Sequence, residues 1–524
     1  MSAIPVVSEQ SPLLANVGDE HYNDVPGEMG QGENVSGTLQ PDAKYPSGYS
    51  RVFVQLCIIT LLFDFTQYSV YAPLTAVFEE IICNHYYSSG FNGLVLQRDC
   101  KVIPVQSELA IVKGYKDAFN QIPSIVLGIP LGMLADRMGR KPVILLFLLG
   151  IFLSDSWVKI VCLFPNQLPL RLVWFAPVLK AVGGGANFGI SLFYTAVADI
   201  IEEKHQVDAF LKLSAMEMIV LVAGAPLISA LMSINQWYSL GLSSIFLVVA
   251  GLIALTLPET HPQHRRAMFE SPNPVQGQAL ISNQNEETQP AESYIGTIRK
   301  PMPRAEATAG DLLKNPGIVL CIGIFLLVAW GAHVWALLLQ YTSQRFGWEF
   351  STANLLFSLR GFITLLLSLV IVGAIDRFIQ QKLGIKSAQK DLLLSAGSCI
   401  LIIVGVAVVG LAQSSVLMVA GVAISALGSS LPVSLRCAMI SLFPQTPTAS
   451  LNAVAGMAQS LGILISGPVL AATYSWALSQ GSIWIGTPFL FASGLHIIAL
   501  AGIFYLHRTR ARAQLSSLHE TQDA

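Results

Sequence analysis

Twelve apolar runs, each long enough to cross about 30 Å of hydrocarbon, leave this chain one class of fold. They cover roughly 52–73, 115–135, 143–164, 171–197, 209–232 and 238–257, then 316–340, 351–375, 391–411, 415–443, 450–476 and 483–506. Lipid offers backbone N–H and C=O groups no partner, so each run must close its own hydrogen bonds as a helix. Composition agrees: 53% of residues are hydrophobic and 12% charged, about half the charge of a soluble domain. A net charge of -2, with no basic patch interleaved with aromatics, gives no sign of a nucleic-acid partner.

The charges that remain fix the orientation, because Lys and Arg in short loops stay on the cytosolic side. Arg137, Arg140 and Lys141 lie between the second and third runs, and Arg377, Lys382, Lys386 and Lys390 between the eighth and ninth. Arg265, Arg266, Arg299, Lys300 and Arg304 fall in the middle of the chain, and Arg508, Arg510 and Arg512 follow the last run. The intervening 5–6, 9–10 and 11–12 loops hold no basic residue. Both termini are therefore expected in the cytosol. Residues 1–50, polar and rich in Pro, Gly and Asn, are expected as a disordered cytosolic tail. A six-helix bundle over 51–257, a cytosolic linker over 258–314, a second bundle over 315–507 and a cytosolic tail over 508–524 complete the division. In the first tail, Glu9-Gln10-Ser11-Pro12-Leu13-Leu14 has the form of an acidic dileucine sorting signal, so a vacuolar membrane stands beside the cell membrane as a destination. Asn34-Val35-Ser36 fits the glycosylation pattern but sits where no transferase acts.

Of seven cysteines, Cys57, Cys162, Cys321, Cys399 and Cys437 fall in apolar runs and read as small packers. Cys83 and Cys100 share a polar loop on the non-cytosolic side. A disulfide there would staple a long loop in an oxidising compartment; two free thiols are the alternative.

The most informative loop is Gly132-Met133-Leu134-Ala135-Asp136-Arg137-Met138-Gly139-Arg140-Lys141-Pro142, a charged hairpin between two uncharged runs. Gly373, Asp376 and Arg377 echo it at the end of the eighth run, one residue shorter. Six plus six helices with a charged hairpin at corresponding places predict two pseudo-symmetric six-helix bundles in an all-α membrane protein, with substrate handled between them. The spacing Gly132-x-x-x-Asp136-Arg137-x-Gly139-Arg140-Lys141 closely resembles the signature between the second and third helices of the major facilitator superfamily. Asp199, followed by Glu202 and Glu203, is similar to that family's acid after the fourth helix, and Pro258-Glu259-Thr260 to its ending of the sixth. Gly224-Ala225-Pro226 is a remnant of its antiporter motif, and the usual Arg of the fourth helix has Lys180 as its nearest match. Phe78-Glu79-Glu80-Ile81-Ile82-Cys83 with the later Cys100 looks like the first external loop of a fungal branch related to the proton-coupled folate transporter group. That resemblance implies export of secondary metabolites or toxins. It also gives the hairpin, with its Gly132 and Gly139, a conformational role, Asp136 capping or pairing against a neighbouring helix end while Arg137, Arg140 and Lys141 meet acids such as Asp199, Glu202 and Glu203.

Charge inside a membrane is costly and usually functional. Asp64 lies about 20 Å in from the cytosolic end of the first run, and Lys180 about 14 Å in from the other end of the fourth. On the family's cavity-lining helices, an Asp64–Lys180 pair could couple proton and substrate, or merely neutralise itself. Tyr68 and Tyr71 share the helix face of Asp64. Glu217 and Arg360 are equally deep and could pair, while Arg360 could also attract an anion. Arg436 is placed to snorkel toward the cytosol, and Asp155–Lys159 reads as a structural i, i+4 bridge. On the seventh run, Trp330, His333 and Trp335 could stack on or titrate with a substrate. Glycines at 183–185, 456, 462 and 467 suit close helix approach.

The sequence holds no nucleophile–base set, no metal-spaced cluster and no phosphate-binding loop, so neither an enzyme nor an ATP-driven pump is expected. No cofactor or metal is expected, a proton gradient being the possible energy source. The expected protein is a monomeric secondary transporter in a lipid bilayer, exporting a small organic molecule by alternating access. Proton-coupled uptake of a nutrient, or a non-transporting membrane sensor, are the competing expectations.

Overall fold

In the computed structural model the described residues are 47–90, 99–201, 203–260, 314–367, 387–446 and 448–522. The first tail, most of the central linker, Glu202, and Gly373, Asp376 and Arg377 lie outside them. Eleven helices are long and apolar enough to cross a membrane, and the shorter apolar helix Phe350–Leu366 stands at the place of the eighth span. In the first half these are Arg51–Ser88, Ile103–Met138, Arg140–Leu163, Leu170–Ile200, Lys212–Ile234 and Gln236–Thr256. In the second half they are Pro316–Phe346, the eighth helix, Gln389–Leu411, Ser415–Leu442, Ser450–Gln480 and Ile483–Thr509. They are numbered one to twelve in this order below.

The outer surface follows from the solvent these helices are built for. Ile245, Leu252, Leu411 and Phe504 are large, apolar and exposed, as side chains facing lipid must be. Buried apolar clusters hold each half together: Phe78, Leu109 and Val161 in the first, and Phe325, Leu435 and Leu451 in the second. Two further clusters cross between halves. One seats Ala110 of span two among Tyr341, Tyr474 and Leu470; the other packs Ala72 and Ile228 against Leu339 and Phe350.

Span two departs from its expected start at residue 115. It begins at Ile103 with Pro104 in its first turn, and breaks into two helices at Asn120–Gln121. Its first segment carries Glu108, Lys113, Lys116 and Asp117 and is nonetheless packed inside the protein, Lys113 and Val112 both being buried. Comparable breaks occur in other spans. Span four turns through left-handed Gly184, span five through a π turn at Val220–Gly224, and span seven through a 3-10 turn at His333–Leu337. Irregular backbone at membrane depth survives only where protein or a cavity surrounds it.

At one end of the molecule Cys83 and Cys100 are joined by a disulfide. Cys83 is helical, on a first helix that runs from Ser47 to Gly90, rather than in a loop. At this end the halves meet tightly. Gly114 and Gly467 face each other so closely that a Cβ on Gly467 would stand 2.1 Å from the Gly114 carbonyl oxygen. Gln340 and Gln344 of span seven donate to the carbonyls of Gln106 (3.3 Å) and Lys101 (2.8 Å). The Lys101 ammonium lies 4.5 Å from the Phe350 ring centre. Asn354 donates to Ala225 O and Ser229 Oγ, and Ser358 to Val222 O, binding span eight to span five. These contacts run from mid-depth to the disulfide end, where the two halves are clamped shut.

Candidate functional site

Between the halves, where the spans break, lie two adjoining chambers. The first, about 300 Å³, is polar and lined by Lys113, Lys116, Asp117, Lys180, Asn187 and His333 among others. The second, about 280 Å³, is apolar, with Tyr68, Leu221, Ile228, Trp335 and Phe357 in its walls. Gln67, Tyr71 and His333 belong to both. Tyr71 donates to Ala336 O at 2.7 Å, so the shared wall is itself a joint between spans one and seven.

In the polar chamber a single carboxylate, Asp117, has two basic neighbours. Lys116 Nζ is 3.7 Å and His333 Nε2 3.9 Å from Asp117. Lys113 directs its ammonium at the Ala336 carbonyl (3.4 Å) and lies 5.0 Å from the Tyr71 ring centre. Among the described residues no carboxylate lies within ion-pair distance of Lys113 or Lys180.

Asp64 and Lys180 are not paired. Lys180 opens onto the polar chamber, whereas Asp64, 9% exposed, lies within electrostatic reach of Glu217 on span five. Glu217 accepts from the Tyr68 hydroxyl at 3.3 Å. Nor does Arg360 meet Glu217 in an ion pair; its guanidinium lies 4.5 Å from the Trp335 ring centre. Arg436 donates to Gln459 at 2.6 Å instead of snorkelling free. Trp330 packs edge-on against Phe491 at 6.0 Å, outside both chamber linings. Lys159 bonds Asp155 and also Ser243 (2.8 Å) and Ser244 (2.5 Å), tying span three to span six as a structural bridge.

The hairpin is built around Arg140. Its side chain, 8% exposed, reaches Asp136 (2.7 Å) with one nitrogen and Asp199 (2.8 Å) with another. Gly139, at φ 96°, holds the left-handed turn that joins the two helices. The Glu259 carboxylate then receives the backbone N–H groups of Arg140 (2.7 Å) and Lys141 (3.2 Å), where the helix dipole favours an anion. A Cβ on Gly139 would stand 2.4 Å from that carboxylate. Lys141 closes the joint by donating to Leu255 O at 2.8 Å. Arg137 is exposed, and Gly132 has open space around it. Of the other acids expected here, Glu202 and the side chain of Glu203 are outside the described residues. Glu259→Gln should lower stability by about 2 kcal/mol, the range for hydrogen bonds to a charged group. Melting of the detergent-solubilised protein would show it as a clear downward shift, and an unchanged melt would remove the cap from the hairpin's support.

Lys113, Lys116 and Asp117 are the residues that sequence reasoning missed. The available signal was their i, i+3, i+4 spacing, which sets all three on one face of a helix.

Two broken-helix halves around a polar and an apolar chamber have the form of a membrane transporter. The model of the Major Facilitator Superfamily matches residues 111–467, and the chain belongs to that family. It is 30% identical over 473 residues to "Efflux pump ustT" of Aspergillus flavus, covering 88% of this chain and 91% of the relative. It is 28% identical over 469 residues to "MFS efflux pump atnC" of Emericella nidulans, covering 88% of each. Among solved structures, a D-xylose-proton symporter superposes with a TM-score of 0.60 at 13% identity, over 87% of this chain and 97% of that one. Nucleoside transporter NupG gives 0.56 at 14% identity, over 87% and 98%. These structures support the twelve-helix, two-bundle fold.

Proposed function

We propose that the chain is a proton-coupled pump that exports a small organic product of fungal secondary metabolism. The carrying observation is the two-chambered cavity between halves that are clamped at the disulfide end. On the positive-inside bias that end would face outward and the hairpin the cytosol, which would make this a conformation closed to the outside. The names of the relatives favour efflux over uptake. Asp64, with no ion-pair partner among the described residues, and Glu217, bonded to Tyr68, would carry the proton. Asp136, Arg140 and Asp199 would make and break with each half-cycle, biasing one state against the other. A monomer in the cell membrane, with both termini cytosolic, completes the proposal; the vacuolar membrane is the alternative site.

Direction is tested by deleting the gene and profiling metabolites inside and outside the cell. Export requires a compound that accumulates inside the deletion strain and returns to the medium when the chain is restored. A compound whose entry is lost, and whose uptake in the restored strain collapses with a protonophore, would reverse the direction.

A further inference from the structure

We propose that the exported molecule is an amphipathic organic anion, its acidic group in the polar chamber that Lys113 and Lys180 line and its unsaturated or aromatic body in the apolar chamber beside Trp335 and Phe357. This rests on the pump reading and names the substrate class of the same cavity.

The charge balance leads there. Three lysines and His333 line one chamber, and Asp117 is the single acid in its lining. The bases nearest Asp117 are Lys116 and His333, at 3.7 and 3.9 Å, which leaves one carboxylate against three lysines. Lys113 has one long bond to a carbonyl for its three donors, and among the described residues no carboxylate lies within ion-pair distance of Lys180. Ammonium groups taken out of water need a counter-charge with hydrogen-bond acceptors to offset their desolvation. A carboxylate supplies both, as does a sulfate or phosphate monoester; a neutral sugar or a cation does not.

The shape adds the second requirement. Chambers of about 300 and 280 Å³ share Gln67, Tyr71 and His333, so a ligand can span both. Their combined size fits an organic molecule rather than an inorganic ion. The far wall is Trp335, Phe357, Leu221 and Ile228, with nothing acidic in it. The Arg360 guanidinium stands over the Trp335 ring, and Glu217 is bonded to Tyr68 in the same wall, so the discrimination by charge lies in the polar chamber. An anionic head and an apolar body therefore match the two chambers in order.

The test uses three pyrene probes on the full chain in lipid nanodiscs: pyrenebutyrate, pyrenebutanol, and the pyrenebutyl-trimethylammonium cation. Binding is read by energy transfer from tryptophan to pyrene. The acid is expected to bind at least tenfold more tightly than the alcohol, with the cation weakest. In Lys113→Gln/Lys180→Gln the acid should fall to the level of the alcohol, while alcohol binding stays within about twofold and reports an intact cavity. Lys113→Arg/Lys180→Arg should keep the preference. Acetate and inorganic phosphate as competitors then separate carboxylate from phosphate chemistry. Equal binding of acid and alcohol in the unaltered chain, a preference for the cation, or an acid preference that survives the double Gln variant would each overturn the proposal. Nanodisc binding needs no gradient and no direction, so a failure of export with anion binding intact would count against the pump and not against this site.

Discussion

Replacing Asp64 with asparagine is expected to abolish proton-driven export while leaving the protein folded in the membrane. The substitution keeps the side chain's shape and removes its ability to bind and release a proton. Asp64 is 9% exposed and has Glu217, not a base, as its charged neighbour. A buried carboxylate without a cationic partner belongs to no structural ion pair, and membrane ionisables of this kind are functional sites by default. The loss should be large, about 100-fold or more in efflux driven by a pH gradient into proteoliposomes. Exchange of labelled for unlabelled substrate across the same vesicles needs no net proton movement and should persist. That split separates a coupling role from a structural one. Unchanged gradient-driven efflux would remove Asp64 from the mechanism, and loss of both activities would make it a structural residue.

A leucine at Gly467 should have an effect of similar size by a different route. The backbones of spans two and eleven touch there, with a Cβ on either glycine falling within 2.5 Å of the facing carbonyl oxygen. Overpacking of this kind costs about 1–3 kcal/mol, which shifts a two-state equilibrium by roughly tenfold to a hundredfold. The strain exists only while the disulfide end is closed, so Gly467→Leu biases the transporter toward the open arrangement of that end. An exporter held so cannot reload, and efflux should fall about tenfold or more. Ala110, fully buried next to this contact, serves as a reporter once changed to cysteine. A membrane-impermeant thiol reagent should label it from outside much faster in the leucine background. Normal efflux with no gain in labelling would show that the glycine contact does not close the gate.

How much of this was legible beforehand differs between the fold and the site. Twelve spans, the two halves and the charged hairpin could be read because hydrocarbon imposes length and hydropathy on every crossing segment. The disulfide at Cys83 and Cys100 followed from topology with one alternative left open. The cavity lysines were hidden by the same rule. Ile103–Phe119 holds four charged residues, and an average over such a segment describes a loop, although Lys113, Lys116 and Asp117 turn into the cavity. The proposed Asp64–Lys180 pair failed for another reason. Depth along a helix is one coordinate of three, and span four is broken at Gly184 and Gly185 just beyond Lys180, so its direction could not be carried from a regular helix. The hairpin motif identified Asp136 and Arg140, but not that Arg140 alone bridges both Asp136 and Asp199. It also gave no hint that Glu259, 119 positions later, caps the helix.

Glu259 also sits at a revealing place in the chain. It and the buried Thr260 close the first bundle, and the covalent path to the second bundle runs directly on from them. The carboxylate that holds the hairpin's helix in place is thus also the point where the first bundle hands the chain on, so a displacement of span six relative to span three would reach the hairpin through these two backbone bonds.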